Sequence, residues 1–190
     1  MTVLTLPENY RLLRKIDLQK DRKLAILVNV LAIVISVSML FLGMVLQGGF
    51  TVSLSLSLAL RMIVLGAGVI VYMVLHELTH GLFMYLLSGT RPRYGFNGLY
   101  AYAGSDAFFP RAAYIWIALS PVLLLGIVLW LLSALLPPAW FWCCYLIQVV
   151  NISGAAGDFY VTALMLFRLP KDTLTRDHGV GMEFYTATKA

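Results

Sequence analysis

The sequence predicts an all-α integral membrane protein with four transmembrane helices and a short β-hairpin between the second and third spans. Of its 190 residues, 61% are hydrophobic and only 12% charged, which makes one domain far too apolar for water. Four runs reach the roughly 20 apolar residues needed to cross hydrocarbon. In the long polar connection, Asn97-Gly98 lies between two aromatic-rich segments, the strongest short signal for a tight hairpin.

Residues 1–23 read as a polar arm, too long and too mixed in charge for the cationic start of a signal peptide, so the first span is expected to be retained. The spans are expected at about 24–46, 57–87, 112–136 and 139–167, with the hairpin loop at 88–111 and an irregular tail at 168–190. Arg11, Arg14, Lys15, Lys20, Arg22 and Lys23 occupy the arm; Arg91, Arg93 and Arg111 the middle loop; Arg168, Lys171, Arg176 and Lys189 the tail. The other two connections hold no Lys or Arg, so both termini and the middle loop are expected on the cytoplasmic side of the cell membrane. The net charge of +5 therefore records topology, with attraction to anionic head groups of the lipid bilayer as a by-product. No basic stripe with interleaved aromatics points to nucleic acid. Cys143 and Cys144 are adjacent in an apolar run and suit packing better than bridging. Trp140 and Trp142 fit an outer interfacial belt and Trp116 an inner one; Arg61 is expected to snorkel, Gly66 and Gly68 to permit close helix contact, and Pro121 to kink or offset the third span.

Inside the second span the chain reads His76-Glu77-Leu78-Thr79-His80, an HExxH pattern. Histidines four apart share one helical face and can share a metal, while the glutamate can take a proton from water held there. One ionisable group at mid-membrane costs about 2.5 to 3.5 kcal/mol on insertion scales, and this span holds three within five residues. A catalytic zinc takes three protein ligands and keeps a fourth position open. Besides Glu77, the only acid within a span is Asp158. Counted back from the cytoplasmic ends of their spans, His80 lies roughly 10 Å and Asp158 roughly 14 Å deep, so the two can meet. Asp158 is thus the expected third zinc ligand; His178, folding back from the tail, is the runner-up. Asn151, Gly154, Ala155 and Asp158 share one helical face whose small residues allow close approach.

HExxH on one span, an intervening span, then Asn151 and Asp158 about two turns apart on a further span resembles the site-2 protease group of intramembrane metalloproteases. It resembles more closely a family of small bacterial membrane proteins described as zincin peptidases. The site-2 pattern has Asn, proline three residues on, then Asp-Gly; here Asn151, Gly154, Asp158 and Phe159 stand at those places. The missing proline and glycine mark a relative with its own motif and bear on substrate handling more than on the metal. The resemblance covers about residues 61–167. It implies zinc held by His76, His80 and Asp158, Glu77 as general base, Asn151 on the substrate carbonyl or oxyanion, and a membrane protein or peptide as substrate. It also implies strand structure between the spans, whose edge could hold a substrate extended.

Three histidines are too few for a membrane di-iron oxygenase. A transporter would need a second set of midplane polar residues or broken helices. The alternative that survives is a non-catalytic metal-binding scaffold, in which Glu77 would be dispensable.

Overall fold

The computed structural model describes residues 2–17, 20–49, 56–96, 98 and 101–188. In chain order these form β1 (Tyr10–Asp17), α1 (Arg22–Gln47), α2 (Leu56–Ser88), β2 (Arg93–Phe96), β3 (Ala101–Gly104), β4 (Phe109–Pro110), α3 (Arg111–Leu135), α4 (Phe141–Gly154), α5 (Ala156–Phe167), β5 (Leu174–Asp177) and β6 (Gly181–Ala187). α1, α2 and α3 are each long and apolar enough to cross a membrane, and α4 with α5 add a fourth crossing if the bent pair counts as one span. Apolar side chains such as Ile33, Val37, Phe41, Ile63 and Ile70 stay exposed along α1 and α2, as lipid rather than water requires. Asp21 caps α1 by accepting from the Leu24 N–H at 3.0 Å, and Gly48, at φ 69°, ends it in the left-handed conformation.

The fourth span is not one rod. α4 and α5 meet at Ala155 with a bend of 41°. The break falls in Gly154-Ala155-Ala156-Gly157, where two glycines weaken the helix by about 1 kcal/mol each relative to alanine. α4 packs against α1, α2 and α3, whereas α5 leans on α1 and α3.

The larger correction concerns the chain ends. The fold is mostly helical with small sheets rather than all-α, because the expected polar arm and irregular tail pair with each other. β1, β6, β5 and β4 form an antiparallel sheet in that order, with Tyr10 opposite Ala187 and Asp17 opposite Gly181. β2 and β3 form the separate hairpin, Arg93 opposite Gly104 and Phe96 opposite Ala101. Four residues connect its strands; of these only Gly98, at φ 92°, lies within the described residues, so the Asn97 half of the expected turn falls outside them.

The hydrophobic core sits where this sheet meets the helices. Ile16, Phe109 and Phe184 from the sheet pack with Met84 of α2, Ile117 of α3, and Val161 and Met165 of α5. Arg111, at the start of α3, donates to the carbonyls of Leu169, just past α5, and of Leu166 in its last turn, at 3.1 and 3.3 Å, the second an open acceptor of the helix end. Asp106 accepts from both Arg93 and Arg176, at 2.7 and 2.6 Å, and so ties the hairpin to β5.

Glu183 of β6 accepts from Lys15 of β1 at 2.9 Å, while its other oxygen accepts from His178 and Tyr185. These donors, Lys15 foremost, hold its carboxyl at about 2 against an ordinary 4.5. A depressed carboxylate stabilises the folded state above its unfolded pKa and loses that contribution as pH falls through the folded one. Amide exchange in β1 and β6, taken relative to the intrinsic rate at each pH, is therefore expected to speed up as pH drops from 4.5 toward 2. Glu183→Gln should raise that exchange at neutral pH and flatten its acid dependence.

Candidate metal centre

His76 and His80 lie one turn apart on α2, both 9% exposed, and their Nε2 atoms face each other at 3.1 Å. Asp158, in the first turn of α5, places Oδ2 3.4 Å from His76 Nε2 and Oδ1 3.5 Å from His80 Nε2. The three side chains converge where the first turn of α5, just past the bend at Ala155, comes near α2.

The donor set fits a metal ion on two counts. Ligands held at about 2.0–2.1 Å around a tetrahedral zinc are separated by about 3.3–3.4 Å along each edge, and the separations here are 3.1, 3.4 and 3.5 Å. The outer ring nitrogens also fix the tautomers. His80 Nδ1 is 2.9 Å from the Ile117 carbonyl, which only accepts, so Nδ1 carries the proton and Nε2 presents a lone pair. His76 Nδ1 is 2.9 Å from the Tyr72 hydroxyl, which in turn reaches the Asn151 carbonyl at 3.4 Å. A proton passed in that direction leaves His76 Nε2 bare as well. Two facing lone pairs and a carboxylate repel one another unless a proton or a metal ion lies among them.

Tyr72→Phe is expected to weaken metal binding by about 10- to 100-fold, the range for an outer-shell partner. Competition with a chelator of known affinity measures it, and the ion should still bind at one per chain.

Glu77 lies beside the triad, and its carboxylate accepts from the Ala103 N–H of β3. The hairpin is held close by Gly81, where an added Cβ would lie 2.1 Å from the Tyr94 hydroxyl. A cavity of about 330 Å³ opens over the triad, lined by Glu77, by Ala101, Tyr102 and Ala103 of β3, and by the turn between β5 and β6. Gly104 lets that turn approach β3 backbone to backbone, since a Cβ there would meet the His178 carbon at 2.7 Å. Asp177 at the base of the turn is buried, accepting from the Tyr114 hydroxyl of α3 and from the Gly179 N–H, and burial pushes its carboxyl above the ordinary range.

Asn151 is turned elsewhere. Its side chain is fully buried, donates to the Val122 carbonyl at 3.2 Å and does not line the cavity. His178 is also away from the triad, bonded to Glu183 at 3.1 Å. Sequence reasoning missed Tyr72, although its place four residues before His76 put it on the same helical face. It set Asp177 aside with the tail, and no local signal in the sequence ties that residue to α3.

The family model described as Putative zincin peptidase matches residues 69–174, more than half of the chain. The chain belongs to this family. The matched stretch of this zincin-family protein contains both histidines, Glu77 and Asp158, and runs from α2 to the start of β5. No curated protein and no solved structure matches it. Family and geometry together are consistent with a bound metal ion.

Proposed function

We propose that the protein is an intramembrane zinc peptidase, similar in plan to site-2 proteases, that hydrolyses peptide bonds of membrane-associated proteins. The observation that carries this reading is the triad of His76, His80 and Asp158 at tetrahedral spacing, with the Glu77 carboxylate adjacent. Zinc held there supplies Lewis acidity toward water and the scissile carbonyl. Glu77, steadied by the Ala103 N–H, takes the proton from the attacking water and returns it to the departing amine. β3 runs along the cavity and offers backbone groups to an extended substrate, which a membrane helix must become before its peptide bonds can be attacked. Asn151 serves the site through its backbone carbonyl, the acceptor for Tyr72. Pairing of β1 with β6 supports these two strands lying on one side of the bilayer, and the Lys and Arg distribution favours the cytoplasmic side.

The test is metal-dependent proteolysis by the purified, lipid-reconstituted protein. One zinc per chain by elemental analysis is expected, with cleavage of a membrane-anchored reporter stopped by a chelator and restored by zinc. Protein that binds no zinc, or that cleaves equally well after chelation, would overturn the reading.

A further inference from the structure

Pro121 lies in the interior of α3, fully buried, in a helix that is otherwise regular from Arg111 to Leu135. A proline there has no N–H for the carbonyl four residues back, and its ring pushes that carbonyl outward. The carbonyl four residues before Pro121 is that of Ile117, the group that receives His80 Nδ1 at 2.9 Å. Its remaining lone pair accepts from the Ser120 hydroxyl, also at 2.9 Å.

We propose that Pro121 is a positioning residue for the metal centre: by withholding the helical N–H, it leaves the Ile117 carbonyl to orient His80 and set its tautomer. This rests on the zinc reading above and adds a part to it. An amide at position 121 would compete for the same carbonyl. His80 would then lose its anchor, and its ring could turn or carry the proton on Nε2, where a ligand needs its lone pair. A helix defect in α3 is thus tied to a ligand on α2, a span that packs directly against it.

The decisive variant is Pro121→Ala, compared with Pro121→Val, which restores the same N–H while filling more of the buried space. Alanine favours a helix interior far more than proline does. If the proline were merely tolerated, the replacement would leave metal binding alone. The expected result is a melting temperature of the metal-free protein equal to or above wild type, with zinc affinity about 10- to 100-fold weaker by chelator competition. Ser120→Ala, which removes the other donor to Ile117, should keep wild-type affinity. Unchanged affinity in a folded Pro121 variant overturns the proposal, and so does an equal loss in Ser120→Ala, which would assign the effect to packing.

Nitrogen NMR of His80 in the metal-free protein separates this inference from the zinc reading. At a pH high enough to keep the imidazole neutral, wild type should hold the proton on Nδ1, and the Pro121 variants should show a mixture. If wild type binds no zinc, the peptidase reading fails and the tautomer result alone decides the role of Pro121. The same tautomer in wild type and variants would overturn it.

Discussion

Asp158→Ala is expected to empty the metal centre. Two imidazoles one turn apart remain, but the triad has lost its anionic member, which is also its ligand from outside α2. The affinity loss should exceed the 10- to 100-fold effect of an outer-shell change. Bound zinc should fall from one per chain to near zero after dialysis against a weak chelator. His76→Ala and His80→Ala should behave alike. Asp158→Asn keeps the shape and removes the charge, so it should also lose most of the metal; retention there would assign the aspartate a packing role. Zinc still bound at wild-type affinity in Asp158→Ala would sink the three-ligand site.

Glu77→Gln should separate binding from chemistry. The amide oxygen can still accept from the Ala103 N–H, so the side chain keeps its place. None of the three ligands is touched, and zinc should remain at one per chain. What disappears is the proton acceptor, a contribution of about 100- to 10,000-fold in rate, or roughly 3 to 5 kcal/mol in the barrier. Metal content and reporter cleavage measured on one preparation decide the matter. Undiminished cleavage would remove Glu77 from the mechanism, and an inert wild type with firmly bound zinc would favour the scaffold alternative.

The parts of this site written in side-chain chemistry were legible in the sequence. His76, Glu77 and His80 stand out because ionisable groups are so costly in an apolar helix, and Asp158 could be reached by depth and elimination for the same reason. The features it hid are those where backbone geometry decides. Residues 139–167 are apolar apart from scattered polar residues such as Gln148, Asn151 and Asp158, so hydropathy sees one span, and the bend at Ala155 depends on how weakly four small residues hold a helix together. Asn151 and Asp158 share a face in a continuous helix; with the bend and a partner in the Val122 carbonyl, the amide goes to α3 while the carboxylate goes to α2. The sheet was invisible because β1 and β6 carry no turn between them and stand most of the chain apart. Asp177 followed the sheet out of view.

That distant pairing has a consequence for how the protein is made. β1 emerges first and has no partner until residues 181–187 have been translated, roughly 10 to 30 s later at ordinary ribosome speeds. By then every one of the intervening helices has been translated. The turn that walls the cavity lies between β5 and β6, so the space beside His76, His80 and Asp158 gains that wall only with the sheet. The wall of the cavity over the metal centre is set only when β6 zips onto β1.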